Sequence, residues 1–215
     1  MGESPVKKII ILGAGGHGRV LLDLMENLRL NFVGFVDEDP SLKGKTICGH
    51  KVLGDENYLT NNFRPSEIIL VNGIGTTDST RKREKLFVKM KNLGFHFQTL
   101  IHPFSFVSPR AQLAEGVQIM AGAVIQIGSS LGENVIVNTK ASLDHDCQIA
   151  ANCHIAPGAT LSGNVTIQKN VHIGTGATII QGVLLGESSF VAAGSLVCKN
   201  IEANCRVKGV PAKPY

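Results

Sequence analysis

Asp144-His145-Asp146 places an imidazole between two carboxylates. A carboxylate beside a histidine orients the ring and makes it more basic, which is what proton abstraction requires. A second candidate cluster is Gly13-Ala14-Gly15-Gly16-His17-Gly18, a G-x-G-x-x-G run. Glycines there let backbone amides approach a phosphate, and a helix N-terminus favours its charge. Asp37, further along the chain at the end of the next apolar run, stands where an acid can meet a ribose or base. His17 inside the loop can donate to a phosphate or hydroxyl, or cap the helix.

The glycine run needs a strand before it and a helix after it. Lys8 to Leu12 reads as a short buried strand, and Arg19 to Leu28 has helical spacing through Val20, Leu21, Leu24, Met25 and Leu28. Phe32 to Val36 is a second strand, which completes a βαβ unit. Further strands are expected at Ile68 to Val71 and Phe97 to Leu100, with a helix over Asp78 to Asn92. About 100 residues offer little more than one mononucleotide-binding half, so a dinucleotide dehydrogenase is disfavoured.

His145 lies in a different kind of sequence. From Val107 to Glu202 the chain repeats every six residues without a slip of register, an aliphatic residue recurring as in Leu131, Val137, Leu143, Ile149 and Ile155. Four positions after each comes a small or β-branched residue, such as Ala141, Cys147 and Cys153, ending at Ile201. Six is neither the period of a helix nor a plain period of two. It predicts a parallel β-helix in which three hexads make one coil, about five coils in all.

In such a coil the first and fifth residues of each hexad face inward. Leu143 and Cys147 are therefore buried, and Asp144, His145 and Asp146 lie at the surface. His154, half a coil on, falls on another side of the prism, so the two histidines line one pocket only if prisms pack side by side. Gly163 stacks one coil above His145, leaving room and an N–H for a developing oxyanion. His172 stacks above His154 and is expected to be an outward residue without a role.

The chain therefore divides into an α/β domain over 1–100 and a β-helix domain with a C-terminal tail over 101–215. The net charge of +4 is mild, and the basic residues form no nucleic-acid stripe. Arg81-Lys82-Arg83 is expected to be the solvated face of a helix. No segment reaches the ~20 apolar residues that span a bilayer, and no secretory signal is visible. Five cysteines without a CxxC pair fit a cytoplasmic protein.

The sequence closely resembles the bacterial nucleotide-sugar N-acetyltransferases of the bacillosamine and perosamine pathways and the sialic-acid O-acetyltransferase-like proteins. The resemblance rests on Ile11 to Gly18, Ile101-His102-Pro103, Asn138-Thr139, Asp144 to Cys147, His154 to Ala159 and Gly209 to Lys213. It implies a Rossmann-like domain followed by a left-handed β-helix, assembled as a homotrimer with sites between subunits. It implies His145 as general base assisted by Asp146, with Asp144 able to share that task. By the same resemblance Gly13, His17, Asp37 and Asn138 meet the nucleotide-sugar, and His154 and Gly163 meet acetyl-CoA. The acceptor it favours is a UDP-4-amino-4,6-dideoxy sugar, with GDP-perosamine next. No metal, nucleic acid or membrane partner is implied.

Three other readings compete. One is O-acetyl transfer to sialic acid or a related sugar. Another is a zinc hydratase, which needs a full ligand set, whereas His154 and His172 stack with no third histidine nearby. The last is a non-catalytic scaffold, which leaves the glycine loop and the Asp-His-Asp cluster without a purpose. Direct attack of an amine on a thioester needs no enzyme-bound intermediate, and Cys147 faces inward. Cys147→Ala should therefore keep most activity and His145→Ala should lose it. Equal loss in both would point to an acyl-cysteine.

Overall fold

The computed structural model describes residues 7–215. Two compact units divide it, 7–75 with 85–98 and 76–84 with 99–215.

In the first unit β1 (Lys8–Leu12), α1 (Gly16–Asn27) and β2 (Phe32–Val36) form the expected βαβ unit. A hairpin of β3 (Thr46–Ile47) and β4 (His50–Gly54), a short helix α2 (Glu56–Asn62) and strand β5 (Ile68–Asn72) follow. The sheet order is β3-β4-β2-β1-β5, parallel except for the β3–β4 pair. Ile10, Leu12, Val36, Leu59 and Leu70 pack a core with Phe87, Met90 and Phe97. Asp55 caps α2, its carboxylate accepting from the Tyr58 N–H at 2.9 Å.

Two expectations for this region change. The helix α3 runs Arg81–Asn92, so its start lies later than the Asp78 that the pattern implied. Thr80 is buried instead, its hydroxyl donating to the Asn170 carbonyl at 3.2 Å. Nor is there one strand over Phe97 to Leu100. Phe97 bridges Leu70, whereas Leu100–Ile101 is the first rung of the β-helix, paired with Gln118–Ile119.

The second unit is a left-handed parallel β-helix of two-residue strands, one in every hexad from Phe106–Val107 to Leu196–Val197. One face stacks Gln118–Ile119, Ile136–Val137, His154–Ile155, His172–Ile173 and Phe190–Val191. A second stacks Val124–Ile125, Ser142–Leu143, Thr160–Leu161 and Thr178–Ile179. The third stacks Ser130–Leu131, Gln148–Ile149 and Thr166–Ile167. Partners along each face stand three hexads apart, as the period requires. First and fifth hexad positions from Val117 onward form one continuous buried core, and each buried Leu, Ile or Val is worth roughly 1.5–3 kcal/mol.

From Gly116 to Gly194 every corner holds a residue in the left-handed region. Gly128, Asn134, Lys140, Asp146, Asn152, Gly158, Asn164, Asn170, Gly176 and Gly182 all have φ between 57° and 76°. Glycine, asparagine and aspartate accept that conformation most readily. Asn134 donates to Asn152 at 2.8 Å, and Asn170 to Glu84 at 3.1 Å, so one corner is a ladder of amides capped by a carboxylate.

The register does slip once, after Val197. Ile201 bridges Leu185, and Phe190 pairs with Arg206, both pairs falling short of the full three hexads. Ile201 thus opens a shortened turn, where the repeat alone placed it at the fifth position. A buried isoleucine satisfies either slot, so the pattern could not separate them. The basic run is also corrected. Arg81 and Lys82 are exposed, but Arg83 is 1 % exposed and its Nε donates to the Asn134 carbonyl at 3.3 Å. Burial pulls its guanidinium pKa down to about 9.

Candidate active site

His145 sits at the corner between the second and third faces, and its backbone is held on both sides. Its N–H donates to Asp144 Oδ1 at 2.7 Å, and its carbonyl accepts from the Asn164 N–H at 2.9 Å. The ring meets the next residue: Nδ1 is 2.8 Å from Asp146 Oδ2. The two acids therefore divide their work, Asp146 on the imidazole and Asp144 on the amide. A carboxylate only accepts, so Nδ1 carries the proton of the neutral ring and the Nε2 lone pair is left for another group. The hydrogen bond to Asp146 raises the His145 pKa above its ordinary 6.5; partial desolvation opposes it, and the charges of Asp144 and Asp146 add to it.

The His145 ring lies over the α-carbon of Gly163. A Cβ at Gly163 would fall 2.5 Å from Nε2, so a larger residue there must push the ring aside. Beside it, Ser142, Asp144, Thr160 and Ser162 line a cavity of about 150 Å³ on the second face. Cys147 points into the core, its Sγ 3.3 Å from the Ser162 carbonyl, and burial raises its thiol pKa. A thiol held protonated is a poor nucleophile.

Asn138, just past a first-face strand, and His154, on the first face itself, touch each other. Asn138 Oδ1 accepts from the Thr139 N–H at 2.7 Å, which fixes the amide and turns Nδ2 toward His154 Nε2 at 3.1 Å. His154 Nδ1 then carries a proton toward the Thr76 hydroxyl at 2.5 Å, and Thr76 reaches His172 Nδ1 at 3.1 Å. His154 and His172 are 5 % and 6 % exposed. His172 is thus no idle outward residue. It stacks on Phe190 with ring centroids 5.1 Å apart, and Arg206 lies 4.0 Å over the Phe190 ring. Burial pulls the His172 pKa down to about 4, so it stays neutral and serves as an acceptor. Thr76, His172, Thr175 and Phe190 border a cavity of about 230 Å³. Nothing in the sequence marked Thr76, because its role comes from a segment laid across the first face.

In the first unit, Gly13, His17 and Asp37 surround the strand-to-helix turn. Gly13 has φ +102° and donates to the Val36 carbonyl at 2.7 Å. Asp37 accepts from the Ala14 N–H at 2.7 Å and the Asp39 N–H at 2.9 Å, so it braces the loop. A Cβ at Gly18 would fall 2.1 Å from the Gly13 carbonyl oxygen, whereas Gly15 and Gly16 face open space at the start of α1. His17 is half-buried.

The comparisons agree with this construction. A family model described as the PglD N-terminal domain matches residues 8–90, and one described as bacterial transferase hexapeptide (six repeats) matches 128–163. The acetyltransferase domain of PglB from Neisseria gonorrhoeae is 37% identical, with TM-score 0.90, covering 97% of this chain and 100% of that one. Perosamine N-acetyltransferase from Caulobacter crescentus, solved with CoA and GDP-perosamine, is 34% identical, with TM-score 0.91, covering 100% of this chain and 99% of that one. The chain belongs to the nucleotide-sugar N-acetyltransferase family. It is an acyltransferase. WeeI from Acinetobacter baumannii, at 24% identity and TM-score 0.86 over 97% of this chain and 100% of its own, shares the fold.

Among the described residues, no helix of this acyltransferase is long and apolar enough to cross a membrane. No group of three or more His, Cys, Asp or Glu side chains among them is placed to hold a metal ion. The dyad geometry makes a direct prediction. His145 should titrate above 6.5 by NMR, and Asp146→Asn should bring that titration down. A titration unmoved by the substitution would mean that the Asp146 bond is absent in solution.

Proposed function

We propose that this acyltransferase moves an acetyl group from acetyl-CoA to the 4-amino group of a nucleotide-linked 4-amino-4,6-dideoxy sugar. A UDP-linked acceptor is favoured, then GDP-perosamine. The observation that carries the reading is the His145–Asp146 pair with Nε2 directed over Gly163. It is supported by the relatives: the Neisseria domain was solved with acetyl coenzyme A, and the Caulobacter enzyme with CoA and GDP-perosamine.

The chemistry follows from the atoms. The amine nitrogen attacks the thioester carbonyl while Nε2 of His145 takes its proton, and Asp146 holds the imidazolium that results. The carbonyl oxygen gains charge, which the Gly163 N–H meets. Collapse expels the CoA thiolate, and the proton on His145 passes to it. Asn138 and His154 act as one hydrogen-bonded unit, Asn138 on the sugar side and His154 near the acetyl group, its two ring nitrogens held by Asn138 and Thr76. Gly13, His17 and Asp37 hold the nucleotide end, with the α1 N-terminus facing its phosphates.

His145 and His154 lie on different sides of one prism, so we propose a homotrimer in which each site takes His145 from one copy and His154 from the next. Acetyl-CoA and nucleotide-sugars are cytoplasmic metabolites, and we place the enzyme there, supplying acetylated sugar for surface glycans. The mass in solution should be about three times 22.9 kDa.

The test is CoA thiol release from acetyl-CoA, with UDP-, GDP- and TDP-linked 4-amino sugars and free sialic acid as acceptors. One amino sugar should give rapid release, and His145→Ala should lower it roughly 10²–10⁴-fold. Release with sialic acid alone would turn the reading to O-acetyl transfer. Failure to bind acetyl-CoA would end it.

A further inference from the structure

Asp146 is one residue of a vertical column at its corner. Gly128 lies one coil below it, Asn164 one above and Gly182 two above. All four backbones are left-handed: φ is +76° at Gly128, +59° at Asp146, +58° at Asn164 and +70° at Gly182. The Asp146 N–H donates to the Ile127 carbonyl at 3.0 Å, which ties the two coils together immediately beside Gly128.

The space above Gly128 is filled by the Asp146 carboxylate. A Cβ built on Gly128 would fall 2.1 Å from Asp146 Oδ1 and 3.1 Å from its Cγ. The other oxygen, Oδ2, makes the 2.8 Å bond to His145 Nδ1. A contact of 2.1 Å is far inside van der Waals range, so a methyl at 128 must push the carboxylate away. Gly182, in the same column and conformation, has nothing within 4 Å of its Cβ position. The two glycines thus separate what the corner demands of the backbone from what the site demands of the space.

We propose that Gly128 is a positioning residue. Its missing side chain is the seat that sets the Asp146 carboxylate at bonding distance from the His145 ring. The seat matches the one above, where the ring itself lies over Gly163. The pair is thereby held between two glycines, one against the acid and one against the base. The inference rests on the reading of His145 as base only for its catalytic meaning; the seat itself is a matter of geometry.

The test compares Gly128→Ala with Gly182→Ala. Both put a methyl on a left-handed corner, but only the first meets Asp146. His145 should titrate lower in Gly128→Ala, approaching the roughly 6.5 of an unpaired imidazole, and stay at the parent value in Gly182→Ala. In the same variant the acid limb of the kcat/KM profile should shift down in pH, with kcat reduced about tenfold or more. KM for acetyl-CoA should stay within about twofold of the parent, because a uniform loss of binding would move KM instead. Should Gly128→Ala fold poorly, Gly128→Ala with Asp146→Gly removes the clash and should melt with Gly182→Ala.

A parental His145 titration in Gly128→Ala would overturn the proposal, as would an equal shift in Gly182→Ala. A double variant no more stable than Gly128→Ala would also overturn it. If the titration shifts as expected while His145→Ala remains active, the seat stands and the assignment of His145 as base falls.

Discussion

Everything in the β-helix half depends on closing a coil in three hexads with a left-handed turn at each corner. Three two-residue strands leave little slack, so each inward side chain and each corner backbone is set by its neighbours one coil away. The hydrogen bonds between coils propagate that constraint upward without interruption as far as Val197. A side chain on the outside inherits a position fixed to the pitch of the helix. That is how a surface turn with an exposed histidine holds a 2.8 Å bond to its own neighbour.

The corner also explains why the supporting acid is where it is. Asp146 occupies the left-handed slot, a conformation that aspartate tolerates better than most residues. From there its carboxylate turns back to the ring, while Asp144, in an outward position on the strand side, hydrogen-bonds the His145 amide and acts on the ring only through its charge. Adjacent acids that look equivalent in the sequence are separated by backbone conformation. The same logic runs through the Asn138–His154–Thr76–His172 chain. One backbone N–H, that of Thr139, fixes the amide, and the direction of every later bond follows from it.

The repeat was legible because burial at the first and fifth positions leaves a period that neither helix nor flat sheet produces. The βαβ unit was legible because the glycine run sits between clear strand and helix patterns. What stayed hidden had no local signature. The slip at Ile201 is invisible because one buried isoleucine serves two registers. Arg83 looked solvated because its partner is a carbonyl oxygen far along the chain, at Asn134. Thr76 and the buried state of His172 depend on a segment crossing the first face, and period and spacing carry no information about it. The two amides that Asp37 accepts, which shape the loop, have no local signature either. Gly128 was readable in principle, since it lies one full coil before Asp146, but only after the corner geometry was known.

The central proposal is that His145 of one copy and His154 of the next complete each active site. The direct measurement mixes His145→Ala and His154→Ala subunits, refolded or co-expressed as mixed trimers, and follows CoA release. Each variant alone should be nearly silent. The mixture should regain activity at about a quarter of its sites, the random fraction in which both histidines are intact across an interface. A mixture as silent as its parents, with mixed trimers shown to form, would contradict the shared site.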